Sequence, residues 1–200
     1  MKVIHWTALV AVLLLGSRAL AADQPQMAPT RPVTVTYRLS GNSHGNGPGK
    51  IEVTYDQDAK RVRMDFYRFE GSSDPMGTVI FDKTLDRVVT LIDARKAYLQ
   101  RDTAGLANPG VFLGPTLTYT REGTEHFAGL TCTDWAVKKG NENGSACVTD
   151  DGVVLKASRG GSNAGQIEAV AITYGPPPAS AFAIPQGYTR LQPAAKPPVR

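Results

Sequence analysis

Few side chains in this sequence are of types that make or break bonds, and their spacing limits what each could do. The two cysteines, Cys132 and Cys147, enclose fourteen residues. That separation excludes a C-x-x-C redox pair. A structural zinc needs four ligands, and His126 is the only obvious third. Between the cysteines lies the turn sequence Gly140-Asn-Glu-Asn-Gly144. Strands on either side of it bring Cys132 and Cys147 roughly opposite one another, within disulfide reach. A hairpin staple is therefore the preferred reading. In the chain-entropy model, closing a loop of this length is worth about 3 kcal/mol.

Four other stretches resemble chemical motifs and fail on particular residues. Gly49-Lys50 has the end of a phosphate-binding loop, but His44 stands where the first glycine belongs and Ile51 where a magnesium-binding hydroxyl belongs. Asn141, Asn143, Gly144 and Asp150 fall at calcium-loop positions, yet the cage would begin on Lys139 instead of a carboxylate. Gly160-Gly-Ser162-Asn-Ala lacks the last glycine of a nucleophile elbow and sits between strands. His44 and His126 have no nucleophile nearby in a recognisable context, which places a hydrolase last among the readings. No residue is assigned a catalytic role, and no cofactor or metal is expected.

The elements that must position anything are β-strands of an exported chain. MKVIHWTALVAVLLLGSRALAAD reads as a signal peptide. Lys2 leads an apolar core at Ala8 to Leu15, and Ala19-Leu-Ala21 fits the small-x-small cleavage rule. The apolar run is shorter than the ~20 residues a membrane span needs, and no later run is long enough. Cleavage after Ala21 removes Lys2 and Arg18, leaving 179 residues with 20 basic against 18 acidic and a net charge of +2. That near-neutral balance argues against nucleic acid as the partner. A secreted or periplasmic location follows, in which one disulfide is the ordinary expectation.

Residues 22–32 and 193–200, rich in proline and lacking periodicity, are expected to be a disordered lead-in and tail around a single domain over 33–192. Within it, apolar and polar residues alternate. Val33, Val35, Tyr37 and Leu39 are interleaved with Thr34, Thr36, Arg38 and Ser40. Ile51, Val53 and Tyr55 follow, then Val62, Met64 and Phe66. Period-two alternation marks an antiparallel sheet with one buried face and one wet face. Further strands are expected at 77–83, 86–93, 96–101, 116–121, 124–138 in two pieces, 145–150, 152–159 and 165–174, making ten or eleven in all. Helical periodicity is nearly absent. Short helices are expected only within 102–115 and at Pro178 to Phe182. A long meander with one apolar face must close into a barrel or curl around something apolar.

The second half has a distinctive cadence. It runs Arg121-Glu-Gly-Thr-Glu-His-Phe-Ala-Gly-Leu-Thr-Cys132, then Ala146-Cys-Val-Thr-Asp-Asp-Gly-Val-Val-Leu155, and closes with Phe182-Ala-Ile-Pro-Gln-Gly-Tyr-Thr-Arg-Leu191. Over residues 117–191 it resembles a group of secreted bacterial domains of unknown function with a LolA-like, lipoprotein-carrier-like fold. The resemblance implies a mainly β architecture: a strongly curved antiparallel sheet, an incomplete barrel, with short helices on its concave side. Lipoprotein carriers of that fold hold acyl chains in the concavity. The lid segments here are shorter than theirs, and the resemblance implies no catalytic residue.

The first functional expectation is thus a non-enzymatic periplasmic or secreted protein that takes an apolar small molecule or lipid in its concave sheet. Alternation alone nominates Val35, Tyr37, Val53, Tyr55, Met64, Phe66, Val79 and Phe81 as its lining. For any one of these side chains, simply filling the core is the stronger account. The alternative is an envelope structural or interaction protein with a filled core, meeting a partner protein through a strand edge or the basic stripe Arg38, Lys60, Arg61, Arg63 and Arg68. The interspersed Glu52 and Asp65 favour an ordinary soluble face for that stripe.

Overall fold

The computed structural model describes residues 24–41, 49–56, 60–103, 112–160 and 164–192. The expected signal peptide, the centre of the Gly41–Lys50 loop with His44, Ser162 and the tail from 193 lie outside the described residues, as do positions 104–111 of the helix expected within 102–115.

Twelve strands form one curved sheet: β1 (Val33–Gly41), β2 (Lys50–Tyr55), β3 (Arg61–Tyr67), β4 (Gly77–Asp82), β5 (Arg87–Ile92), β6 (Ala97–Asp102), β7 (Thr118–Phe127), β8 (Leu130–Lys139), β9 (Glu142–Val148), β10 (Val154–Arg159), β11 (Gly165–Tyr174) and β12 (Thr189–Arg190). Their order is β12-β6-β5-β4-β3-β2-β1-β11-β10-β9-β8-β7. Every pairing is antiparallel except the two-residue β12 beside β6. The sheet does not close, so the architecture is the incomplete barrel expected.

Register explains how alternation becomes a core. Val35 opposes Val53, which opposes Met64, which opposes Val79. Tyr37, Ile51 and Phe66 form the adjacent row. These rows define the inner face. Val33, Val35, Tyr37, Val53, Tyr55 and Val62 are buried there in one cluster with Cys132, Cys147, Val153, Leu155 and Ala169. Burial of each large apolar side chain is worth roughly 1.5–3 kcal/mol. The Tyr37 hydroxyl donates to the Val154 carbonyl oxygen at 2.9 Å. Burial pushes its ionisation well above the ordinary phenol range, so it remains a donor.

The expectation of one wet face fails on β4 and β5. Ile80, Val89 and Leu91, of opposite phase to Val79 and Phe81, are buried on the outer face beneath Phe182. The expected helical turn is present as a 3-10 turn at Ala179–Phe182, but it covers this outer face and not the concavity. The second 3-10 turn, Asp93–Arg95, only links β5 to β6.

Residues 24–32 also depart from a solvated lead-in. Pro25 and Pro29 are buried. The Thr30 amide donates to the Asp151 carbonyl oxygen at 3.0 Å, and Arg31 reaches the Asp151 carboxylate at 2.6 Å while stacking on Tyr174. Burial raises the Asp151 pKa, but hydrogen bonds from Thr149, Arg31 and Tyr174 outweigh it and hold the carboxyl below its ordinary range. Gly152, with φ +90°, lets this segment close on the β9–β10 turn. A Cβ there would lie 2.4 Å from the Ala28 carbonyl oxygen.

The hairpin turn of β8–β9 is tighter than the five residues expected, with Lys139 directly opposite Glu142. Cys147 faces Asp134, so Cys132 is offset by two positions along its strand, and the bond forms with the Cα atoms 5.4 Å apart. Both cysteines are buried. Replacing the pair with alanine, which avoids burying hydroxyls, is expected to lower unfolding free energy by about 3 kcal/mol. Denaturant titration checks this, and a loss below ~0.5 kcal/mol would contradict the staple. Gly152→Ala is expected to cost more than ~1 kcal/mol by the same measurement; unchanged stability would show that residues 24–30 do not pack as described.

Candidate functional site

The eight residues nominated as a lining share the inner face of β1–β4 by register. Val35, Tyr37, Val53 and Tyr55 are fully buried, whereas Met64, Phe66, Val79 and Phe81 are half-buried. Phe112 stands edge-on to Tyr37, with ring centroids 4.9 Å apart. Over β1 and β2 the concavity is filled, while the inner side chains of β3 and β4 keep partial exposure.

An open-sided cavity of about 300 Å³ lies farther along the same face, beyond β1, and none of the eight lines it. Two register rows build it. Trp135, Ala146, Ala157, Ile167 and Leu39 oppose one another in turn across β8, β9, β10, β11 and β1. The next row is Val137, Gly144, Arg159, Gly165 and Gly41. Small side chains at Ala146, Ala157, Gly144 and Gly165 leave the space. A Cβ on Gly144 would meet the Ser158 carbonyl oxygen at 2.3 Å, so the closeness of β9 and β10 here depends on glycine.

Phe112, Leu113 and Leu117 form the roof. The Tyr119 hydroxyl fixes that loop by donating to the Gly114 carbonyl oxygen and accepting from the Gly114 amide, both at 3.0 Å. Its ring meets Trp135 edge-on at 6.5 Å. Leu113 and Trp135 are buried with Ala146, Val148 and Val154 in a second apolar cluster. At the rim stand Lys139, Glu142, Arg159 and Gln166.

The sequence reading missed this site because it weighed large apolar side chains. The usable signal was the alternation of small residues at Gly144 and Ala146, and at Ala157 beside Arg159. These positions mark one face of two neighbouring strands.

Of the motif-like stretches, only those on described residues can be placed. Asp150 lies at the far end of β9 from Asn141 and Asn143, so no calcium cage assembles. The Lys50 ammonium donates to the Ser72 carbonyl oxygen at 2.9 Å and lies over the Tyr67 ring. His126 is exposed, with Nδ1 3.1 Å from the Thr131 hydroxyl. Among the described residues no group of three or more His, Cys, Asp or Glu side chains is arranged to hold a metal ion.

The basic stripe is largely paired. Arg38 binds Glu70, Arg61 binds Asp56 and Arg63 binds Asp65. Arg63 and Asp65 also border a second recess of about 510 Å³ on the outer face under Pro176, Pro177 and Pro178. Their charges are already met: Thr78 donates to Asp65, and Arg63 donates to the Ala181 carbonyl oxygen at 2.9 Å. That recess is larger and its lining is apolar to a similar degree, but Glu52, Arg63 and Asp65 stand within it, whereas the charges of the first cavity are at its rim. No helix among the described residues is long and apolar enough to cross a membrane.

No family model matches the chain, and no curated protein matches it significantly. Among solved structures, it is similar to an uncharacterized conserved protein from Thermus thermophilus, with a TM-score of 0.53 and 10% identity over 81% of this chain and 90% of that one. It is also similar to PNGF-II, with a TM-score of 0.50 and 12% identity over 80% of this chain but only 31% of that one. A weaker likeness is to the Pseudomonas aeruginosa MucA/MucB complex, with a TM-score of 0.46 and 14% identity over 74% of this chain and 53% of the matched one. At such identities the likeness concerns the fold alone: a curved, incomplete antiparallel barrel.

Proposed function

We propose that this chain is a periplasmic or secreted, non-enzymatic binding protein that holds an apolar chain in the cavity between β1, β8–β11 and the Phe112–Leu117 loop. The observation that carries the reading is the open-sided apolar cavity of about 300 Å³ in a sheet whose neighbouring inner face is packed. Its size is at the low end for small-molecule sites. The signal sequence and the resemblance to LolA-like secreted domains support the location and the ligand class. Val35, Tyr37, Val53 and Tyr55 serve as core beneath the site. Met64, Phe66, Val79 and Phe81 continue the apolar face on β3 and β4, outside the cavity lining.

The alternative, an envelope interaction protein, draws on β7. This ten-residue strand ends the sheet and is exposed along almost its whole length. Its bulge between Arg121 and Gly123, and the charges of Arg121, Glu122 and Glu125, are the usual means of blunting an edge against strand addition. The cavity is therefore the preferred site.

Ala157→Leu fills the cavity from its floor, at an overpacking cost of about 1–3 kcal/mol. The wild-type protein is expected to bind a fluorescent fatty-acid analogue, and the folded variant to bind it at least ~10-fold more weakly, a loss of about 1.4 kcal/mol. Equal binding by both would move the site elsewhere. No binding by either would favour the interaction role.

A further inference from the structure

The cavity's apolar walls end on a cation. Arg159 lies in the inner-face row between Gly144 and Gly165, so neither cross-strand neighbour has a side chain to cover it. It lines the cavity and is exposed at the mouth. Arg31, Arg38, Arg61, Arg63 and Arg87 pair with carboxylates, whereas Arg68, Arg95, Arg101, Arg121 and Arg190, all outside the cavity lining, show no such pair among the described residues. Arg159 pairs with none among the described residues. The other two rim charges, Lys139 and Glu142, are register partners across the β8–β9 turn and sum to zero, so the mouth carries a net positive charge.

Building on the apolar-chain reading, we propose that the ligand is a single-chain carboxylate, a fatty acid, whose chain lies on Ala146, Ala157 and Ile167 under Leu113 and whose head pairs with Arg159. A planar guanidinium binds a carboxylate through two parallel hydrogen bonds. One unmatched cation beside Glu142 suits a singly charged head better than a doubly charged phosphate. The volume sets the chain count. At ~30 Å³ per methylene, taken as about the share of a liquid water molecule, the cavity accepts on the order of ten carbons of one chain. It does not take two chains.

The test is titration calorimetry of the purified protein with decanoate, 1-decanol and decyltrimethylammonium. Decanoate is expected to bind at least ~10-fold more tightly than either of the others. In Arg159→Gln the decanoate preference is expected to vanish while decanol affinity stays within about twofold, and Lys139→Gln is expected to keep the preference. Affinity across C6 to C10 carboxylates should rise by up to about fourfold per methylene, then flatten in longer chains as the cavity fills. Equal binding of decanoate and decanol would overturn the head-group proposal and leave the apolar-chain reading standing. A preference that survives in Arg159→Gln but is lost in Lys139→Gln would overturn the assignment to Arg159. Failure of every chain to bind would overturn both.

Discussion

A twelve-stranded sheet with an apolar face and almost no helix has little besides itself to bury that face against. The main core shows the consequence: side chains of β1, β2 and β3 share one cluster with residues of β8, β9 and β10, on the other side of β11 in the sheet order. Curvature is therefore a condition of burial and not an ornament of the fold. Register shifts at Thr36/Tyr37, Arg121/Gly123 and Val154/Lys156 provide local breaks in pairing where a sheet gains bend and twist. The disulfide then ties β8 to β9 within the buried region.

A sheet curled this tightly fills where its inward side chains are large and stays open where they are small. Tyr37, Tyr55 and Val53 fill one part. Ala146, Ala157 and the flanking glycines leave the other part open, and the loop held by Tyr119 roofs it. The same curvature thus gives a core and a cavity on one continuous face. The partition between them is a matter of side-chain volume row by row. The outer face needs its own cover over Ile80, Val89 and Leu91, which explains why the C-terminal turn with Phe182 packs there.

Much of the fold was legible before the structure. Residues 33–40 alternate cleanly because one phase is core and the other meets solvent or polar neighbours. In 50–55 Thr54 is buried too, and in 61–67 the outer-phase Asp65 and Tyr67 are buried while Met64 and Phe66 stay half-buried. The strand break expected between 121 and 124 is instead a bulge at Gly123 within a continuous β7. The division expected within 124–138 falls at the turn Ala128-Gly129, where Ala128 takes a φ of +50°. Alanine seldom adopts that conformation, so its presence does not announce a turn. The cysteine staple was legible from separation and turn residues, although its two-residue offset was not. The site was less legible than the fold. The inner face could be read from alternation, since all eight nominated residues share it. Where that face is hollow depends on which rows come together across five strands, and on a loop between β6 and β7 with no periodic pattern of its own. Arg159 reads as an ordinary strand-end charge until register places it between two glycines.

The central claim is that ligand enters at the small-residue rows of β8–β11 and not over the large apolar residues of β1–β4. Methyl and amide NMR of the purified protein titrated with decanoate tests it most directly. Saturable shifts centred on Leu113, Val137, Ala146, Ala157 and Ile167 are expected, with Val35 and Val53 unmoved. Shifts centred on Met64 and Val79, or none at saturating ligand, would contradict the account.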